Sequence, residues 1–261
     1  MNILICIKQV PGSSNVEIDS VTGTLIRTKD NNKINPYDLF AIESSLKLKE
    51  LYGGSVSTLT MGPPQAKSVI EESIAMGCDK GFVLSDRAFA GSDVLSTSYA
   101  LSQAIKKCGK FDLIICGKQT TDGDTAQVGV EIAEFLDIPN ISNVVLLSLS
   151  NSKSLLVESN QEHLFVTQEM KFPCLISFDS EINTPRLPSY KRMKEPMDIK
   201  TLSLVDMDDT NVVNYGLDGS ATQVEKIFPP NKTTDRYKVE GTSCDLSSKI
   251  YELLLEKKFI I

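Results

Sequence analysis

The sequence predicts an α/β fold with a Rossmann-like, mostly parallel sheet, helices on both of its faces and a C-terminal arm. Three observations predict it. Short apolar runs alternate with amphipathic segments over the first two thirds of the chain, an order typical of open parallel sheets. The first run, residues 3–7, is apolar throughout, as in strands buried on both faces. Beyond residue 182 this periodicity is lost, so we expect an α/β domain over 1–182 and an arm over 183–261.

In the first half of the chain, predicted strands and helices follow each other in turn. We expect strands over residues 3–7, 56–61, 82–84 and 111–116. Each is followed by a helical segment, and Gly53, Gly77 and Pro139 end three of these helices, because neither residue type continues a helix readily. A surface hairpin is expected over residues 16–27, between the first strand and the first helix.

The first helix has a clear start signal in Asn35-Pro36-Tyr37-Asp38. Asparagine is a favoured N-cap and proline suits the first helical position. The acidic side chain at the third position can face the free amides of the first turn. We therefore predict that Asn35 caps a helix that begins at Pro36.

The second half of the chain contains further strands, expected over 144–149, 155–158, 164–168 and 174–178. His163 lies in a polar turn between two of them, beside Glu162, and has no adjacent nucleophile, so we interpret it as a surface residue. The stretch 185–194 is basic and interrupted by prolines, and a final helix is expected over 246–258. Such an extension packs on a partner or across the surface of its own domain.

Composition excludes several classes of function. The chain has 27 basic and 34 acidic side chains, a formal charge of −7, so nucleic-acid phosphates would meet net repulsion. Its single histidine excludes a multi-histidine zinc site, and its six cysteines include no Cys-x-x-Cys pair. No apolar run approaches the ~18 residues of a membrane span, and no secretion signal precedes the first strand. We expect a cytoplasmic protein without a metal, nucleic-acid or membrane partner.

The loop after the fourth strand is the strongest candidate for a binding site. It comprises Gly117, Lys118, Gln119, Thr120, Thr121, Asp122, Gly123, Asp124, Thr125, Ala126 and Gln127. The loop leads into a helix start, where free amides and the helix dipole favour a phosphate group. Its glycines allow close backbone approach and its threonines can donate hydrogen bonds. Its two aspartates would repel phosphate unless they cap the helix or face a ribose hydroxyl, and an Asp-capped helix behind a polar surface loop would show the same residues.

Other segments are expected at the same edge of the sheet. Residues 6–10 follow the first strand, 60–63 follow the second, and 35–38 begin the first helix. Because the carboxyl ends of parallel strands meet at one edge, these segments outline a nucleotide cleft. The sequence has neither a G-x-G-x-x-G fingerprint nor a Walker loop, so an ordinary dehydrogenase or P-loop NTPase is not predicted.

Six segments together carry a family resemblance. They are MNILICIKQVP (1–11), INPYDLFAIE (34–43), MGP (61–63), DGDTAQVG (122–129), NTPR (183–186) and GSAT (219–222). In combination they resemble the electron transfer flavoprotein β subunit, the EtfB/FixA family. The resemblance implies an adenine nucleotide alpha-hydrolase-like fold and an obligate heterodimer with an α subunit that carries a mobile FAD domain. It also implies AMP or a second FAD in the cleft of the β subunit.

The resemblance also implies roles for particular residues. Those expected to contact the nucleotide are Cys6, Asn35, Pro36, Tyr37, Asp38, Met61 and the stretch from Gly117 to Val128. The segment 186–194 would dock onto a partner dehydrogenase through Arg186, Tyr190 and Lys191, although a solvated basic turn remains the alternative. No catalytic side chain is expected, because the redox chemistry of such a subunit belongs to its cofactor.

Two features resemble the electron-bifurcating branch of the family, Asn35-Pro36-Tyr37-Asp38 and Asp122-Gly123-Asp124-Thr125-Ala126. AMP-containing members tend to have an Asn-Pro-Phe-Cys-like helix start and consecutive acidic residues instead. The bifurcating branch implies a FAD that accepts hydride from NADH. One electron then goes to ferredoxin and the other, through the FAD of the α subunit, to a flavin dehydrogenase of the acyl-CoA or lactate type. The alternatives are a non-bifurcating carrier with structural AMP and a stand-alone nucleotide-binding module of the stress-protein type.

Overall fold

A nine-stranded sheet lies at the centre of the residues described by the computed structural model, which are 1–12, 17–18, 25–26, 32–225 and 238–260. The described residues form thirteen strands, of which nine belong to this sheet: β1 (Asn2–Cys6), β2 (Gln9–Pro11), β3 (Glu17–Ile18), β4 (Leu25–Ile26), β5 (Asn32–Ile34), β6 (Ser55–Met61), β7 (Lys80–Leu84), β8 (Leu113–Gly117), β9 (Asn140–Asn151), β10 (Ser154–Gln161), β11 (Leu164–Lys171), β12 (Cys174–Phe178) and β13 (Ile199–Leu202). The order across the sheet is β11-β10-β9-β12-β8-β1-β6-β7-β13.

Most of this sheet is parallel. Every neighbouring pair from β9 across to β13 is parallel, whereas β10 and β11 add antiparallel strands at the other edge. The predicted fold class is confirmed. β2 pairs with β5 and β3 pairs with β4 outside the sheet. The β3–β4 pair agrees with the expected hairpin over 16–27, whose turn lies outside the described residues.

Helices cover both faces of the sheet. They are α1 (Pro36–Tyr52), α2 (Lys67–Met76), α3 (Val94–Cys108) and α4 (Val128–Leu136), and α5 (Ser243–Glu256) follows near the C-terminus. Side chains of α1 and α2 share one apolar cluster with Ile3 and Ile5 of β1, whereas those of α3 and α4 share the other with Leu4. Alternate residues of β1 thus face opposite helical layers, because successive side chains of a strand point to opposite faces.

The central position of β1 determines where a ligand can bind. From β1 the chain continues to β6 and β7 on one side, then crosses through α3 to β8 on the other side. Strand order therefore reverses between β1 and β8. In open α/β sheets, ligands bind in the crevice outside the carboxyl ends of the strands at such a reversal.

The chain divides into two units, Met1–Glu225 and Lys226–Ile261. The segment after residue 182 contributes β13 to the sheet, and the Ser220 hydroxyl accepts a hydrogen bond from the Asp93 amide at the start of α3. These contacts explain why the division falls after Glu225. The second unit contains α5, on which Thr242 and Asp245 form a capping box. Among the described residues, no helix is long and apolar enough to cross a membrane.

Candidate functional site

The candidate site lies where β1 and β8 end. Cys6, the last residue of β1, is opposite Cys116 of β8, and the loop of residues 117–127 follows directly. The start of α1 lies beside it, because the Asn35 amide donates to the Lys8 carbonyl at 2.9 Å. β6 pairs with the other side of β1 and ends at Met61. The structure thus brings together the strand ends and the helix start that the sequence placed at one edge.

Asn35 connects the start of α1 to the loop. Its side chain is fully buried, and Nδ2 donates to the Gln119 carbonyl at 2.8 Å. Oδ1 accepts from the Thr121 amide at 3.2 Å. Asn35 occupies the predicted N-cap position, but the prediction that it caps the helix is wrong, since its side chain makes no capping hydrogen bond. The side chain forms its hydrogen bonds with the loop instead, so Asn35 holds the loop against the start of α1.

Asp38 is a buried carboxylate that joins three segments. Oδ2 accepts from the Lys8 amide at 2.7 Å and Oδ1 accepts from Asn35 Nδ2 at 3.0 Å. Burial raises the pKa of Asp38 to about 7, although hydrogen bonds from Asn35, Lys8 and the Gly117 amide lower it. A Cβ on Gly117 would lie 2.4 Å from Oδ1, which explains the glycine there. Asp38 thus holds the ends of β1 and β8 together rather than facing the free amides of its own helix.

Two lysines lie at the rim of the site, and each is paired with an aspartate. Lys8 Nζ contacts Asp122 Oδ1 at 2.8 Å, and Lys118 Nζ contacts Asp179 Oδ2 at 2.9 Å. Partial burial raises the pKa of Asp122, but the hydrogen bond and charge of Lys8 outweigh it and hold that pKa below its usual range. Lys8 belongs to the segment 6–10, which the sequence placed at this edge, whereas Asp179 was not predicted as a site residue. Both residues could be recognised in the sequence by their position, because each closely follows the end of a strand in the parallel sheet.

The second half of the loop exposes backbone donors. Asp124 and Ala126 have positive φ angles of 53° and 56°. Within the described part of the chain, the structure gives no hydrogen-bond acceptor for the amides of residues 125–128, which lead into α4. The Asp124 carboxylate accepts from Gln119 Nε2 at 2.5 Å and does not cap α4. This geometry favours an anion-binding loop over the Asp-capped helix, because successive free amides at a helix start attract phosphate.

The remaining predicted contact residues lie outside this loop. Pro36, Tyr37 and Met61 are partly buried at the edge of the sheet. The Cys6 side chain is nearly buried, and its contact with Cys116 together with burial raises the pKa of the Cys6 thiol well above its usual value. The Cys6 thiol is therefore protonated at neutral pH and is not a nucleophile.

Comparison with known proteins identifies the family. Residues 22–207 match the sequence model described as "Electron transfer flavoprotein domain". The chain belongs to the electron transfer flavoprotein family. The relatives identify the β-subunit type within it. "Electron transfer flavoprotein subunit beta" of Thermoanaerobacterium thermosaccharolyticum is 43% identical over 233 residues, which cover 88% of this chain and 89% of that protein.

Two further relatives match over nearly the full length. "Caffeyl-CoA reductase-Etf complex subunit CarD" of Acetobacterium woodii is 37% identical over 264 residues, covering 100% of both chains. "Protein FixA" of Azotobacter vinelandii is 38% identical over 267 residues, covering 99% of this chain and 95% of that protein. The electron transfer flavoprotein family is flavin-associated, and the role of this subunit is electron transfer.

The electron transfer flavoprotein resemblance also assigned Arg186, Tyr190 and Lys191 to partner docking. Tyr190 and Lys191 are exposed. The Arg186 guanidinium is directed into its own subunit, where Nε donates to Glu43 Oε2 at 2.8 Å and Nη1 donates to Glu50 Oε1 at 2.6 Å. The structure therefore places the first of these three residues differently from the other two.

Proposed function

We propose that this subunit binds FAD at the edge formed by β1, β8 and α4, and that it pairs with an α subunit in an electron-bifurcating complex. The observation that carries the FAD site is the row of backbone amides without acceptors at residues 125–128, most of them exposed residues, at the start of α4. A dinucleotide pyrophosphate is a suitable occupant, because helix-start amides bind such groups without a lysine-bearing phosphate loop.

The chain would hold the cofactor through its backbone. The amides of residues 125–128 would bind the phosphates. Asn35 and Asp38 would hold the first part of the loop through their hydrogen bonds to it. When bound, FAD supplies the redox chemistry by taking two electrons as hydride from NADH and releasing them singly. The protein would orient the flavin, and no side chain of the site is required as an acid, base or nucleophile.

The bifurcating assignment rests on resemblance. The Asn35-Pro36-Tyr37-Asp38 helix start supports FAD rather than AMP, and it supports NADH as donor and ferredoxin as one acceptor. A relative named as part of a caffeyl-CoA reductase-Etf complex covers the whole chain at 37% identity, which supports a flavin dehydrogenase as the other acceptor. Family membership favours these assignments over a stand-alone nucleotide-binding module.

Counting nucleotides in the purified heterodimer tests the proposal. The subunit is produced together with its α subunit, and FAD and AMP are released and quantified. We expect two FAD, no AMP, and bleaching of flavin absorbance on addition of NADH. One FAD and one AMP without reduction by NADH would contradict the proposal and establish the non-bifurcating carrier.

A charge placed on the loop tests the location of the site. Ala126→Asp puts a carboxylate beside the open amides, and Asn at the same position is the matched neutral control, because both residues tolerate a positive φ. We expect Ala126→Asp to weaken FAD binding by about tenfold or more, since an anion would then meet a like charge. Ala126→Asn should bind within about threefold of the parent. Equal affinities of the two variants would place the phosphates elsewhere.

We also propose that Tyr190 and Lys191 contact the flavin dehydrogenase. Their exposure in a basic stretch of an acidic chain supports this. In the assay, an acyl-CoA dehydrogenase and a flavin-dependent lactate dehydrogenase are each supplied as the electron acceptor. We expect Tyr190→Ala to raise the apparent KM for whichever acceptor is reduced, by about tenfold, whereas Tyr52→Ala, at an exposed tyrosine of α1, should leave it unchanged. An unchanged KM in Tyr190→Ala would contradict the docking role.

The C-terminal arm is proposed to pack on the α subunit. Helix α5 carries several exposed apolar side chains, including Ile250, Leu253 and Leu255. Such a surface is typical of a segment that is covered by a partner. Replacing Ile250 and Leu253 with serine should reduce the amount of α subunit that co-purifies, and full recovery would contradict this role.

A further inference from the structure

Arg186 is engaged by α1 through four hydrogen bonds. Its guanidinium meets the Glu43 carboxylate at two points, Nε to Oε2 at 2.8 Å and Nη2 to Oε1 at 3.1 Å, and its backbone amide also donates to Oε2 at 3.1 Å. Nη1 donates to Glu50 Oε1 at 2.6 Å. A bidentate Arg–carboxylate pair of this kind fixes orientation as well as distance.

Glu43 is the buried member of this group. Its side chain is 5% exposed, compared with 59% for Glu50. Burial raises the pKa of Glu43, but hydrogen bonds and charge from Arg186 outweigh it and keep that pKa below its usual value. Lys47 lies at 4.0 Å and is the other cation near the carboxylate among the described residues. Arg186 therefore cannot turn toward a partner protein without leaving a buried carboxylate poorly paired, which is strongly unfavourable.

The neighbouring residues are anchored in the same way. Asn183 Nδ2 donates to the Phe40 carbonyl at 2.9 Å and to Ser44 Oγ at 2.7 Å, both on α1. At the other end, the Ser189 amide donates to the Ala75 carbonyl at 2.9 Å, and Arg192 Nη2 donates to the Cys78 carbonyl at 2.9 Å. The segment is thus held at one end by α1 and at the other by the C-terminal end of α2.

Three apolar side chains point outward between and just beyond these anchors. Leu187 is 88% exposed, Tyr190 72% and Met193 55%. Large exposed apolar residues on a loop whose arginines are bound within the subunit are typical of a protein-contact surface.

We infer that Glu43 is a positioning residue for partner docking: acting through Arg186, it holds residues 186–194 in the one conformation that presents Leu187, Tyr190 and Met193 together. The inference rests on the docking role proposed for this segment. It assigns the Arg186 guanidinium to a contact within the subunit rather than to the partner contact. Loss of the pair would weaken docking by disordering the segment before binding, since a flexible loop must then be ordered at the expense of affinity.

Amide hydrogen exchange in the αβ heterodimer tests the anchoring directly. In Glu43→Gln, we expect exchange in residues 186–194 to become about tenfold faster, while the loop at 117–127 exchanges as in the parent. Arg186→Gln should give the same increase, and the double variant no further increase, because both substitutions remove one interaction. Arg186→Lys keeps the positive charge but loses the bidentate geometry, so its exchange rate in residues 186–194 should lie between those of the parent and Arg186→Gln. Glu50→Gln is the exposed control and should change exchange by less than about twofold.

Steady-state kinetics then separates positioning from general damage. With the dehydrogenase that the parent reduces, Glu43→Gln should raise the apparent KM for that acceptor by about fivefold and leave kcat within about twofold. Unchanged exchange in residues 186–194, additive effects in the double variant, or a loss of kcat at unchanged KM would each overturn the inference. If Tyr190→Ala leaves the KM unchanged while Glu43→Gln still accelerates exchange, the docking proposal fails and the anchoring stands.

Discussion

Two surface regions are attached to the same helix, α1, and they are built in opposite ways. The loop at 117–127 leaves backbone amides without acceptors and exposes polar side chains. The segment at 183–194 engages its arginines and Asn183 within the subunit and exposes Leu187, Tyr190 and Met193. A buried carboxylate of α1 binds each region, Asp38 in the first and Glu43 in the second, and Asn35 and the partly buried Asn183 add further hydrogen bonds.

The difference reflects what each region is expected to bind. A small anion is attracted by open donors at a helix start, and these donors must therefore not be satisfied internally. A protein surface is bound mainly by apolar contact, and polar groups beneath that contact must be satisfied beforehand, because unpaired ones cost free energy on desolvation. Substitutions at Asp38, Asn35 and Asn183 should therefore affect the function of one region and spare that of the other.

The largest effect is expected at Asp38. Asp38→Ala leaves the donors of Lys8, Asn35 and Gly117 without their shared acceptor, so we expect the free energy of unfolding to fall by about 2–4 kcal/mol. Calorimetry of the heterodimer measures this. FAD should also be lost from the purified variant, while hydrogen exchange of residues 186–194 stays near that of the parent.

A control for Asp38 is available on the same protein. The Asp86 carboxylate accepts hydrogen bonds from the amides of Ala88 and Leu204 at 3.0 and 3.1 Å, but Asp86 is only partly buried. Asp86→Ala should cost about 1 kcal/mol, because water can replace the lost acceptor. Equal costs for the two variants would show that burial of Asp38 is not what makes it important.

A pH dependence follows from the same carboxyl group. Burial raises the pKa of Asp38 from an ordinary value of 3.8 to about 7, so the folded state keeps a proton that the unfolded chain releases. The resulting stability is fully present below about pH 4 and is lost as the pH rises toward about pH 7. Urea unfolding between about pH 5 and pH 8 should show this decline, and Asp38→Asn, which cannot ionise, should show a smaller one. Identical slopes of unfolding free energy against pH in the parent and in Asp38→Asn would contradict the raised pKa of Asp38.

The side-chain contacts of two asparagines, the buried Asn35 and the partly buried Asn183, allow the two regions to be compared directly. Asn35→Ala removes the links to Gln119 and Thr121, and we expect FAD affinity to fall by about tenfold with docking unchanged. Asn183→Ala removes the links to Phe40 and Ser44, and should instead raise the KM for the dehydrogenase. If either variant affected both measurements equally, the two regions would not be independent.

The smallest effect is expected at the rim of the site. Lys8→Ala breaks an ion pair with Asp122 in which the side chains are 43% and 35% exposed. Exposed pairs contribute little, so the free energy of unfolding should change by less than about 1 kcal/mol, and less still at high salt. A larger loss, measured by urea unfolding at low and high salt, would show that Lys8 supports the loop as Asn35 does.

The sequence predicted the architecture and the location of the candidate site well. Apolar runs, glycine and proline stops and the rule that parallel strands end at one edge were sufficient to bring residues 6–10, 35–38 and 117–127 together. It could not predict which side chains would meet inside these elements. The partners of Asn35 lie 84 and 86 residues along the chain, and Glu43 and Arg186 are 143 residues apart. No local spacing reports contacts over such distances.

The sequence by itself determined the fold class, the family and the segments that form the edge of the sheet, because these depend on local periodicity and on short motifs. Tertiary structure alone decided the roles of the charged and amide side chains. Arg186 belongs to a basic stretch in the sequence, yet it is held inward by Glu43. Asn35 lies at a helix start, yet it binds the loop. Burial and hydrogen-bond partners decide such roles, and both arise only when distant segments pack together.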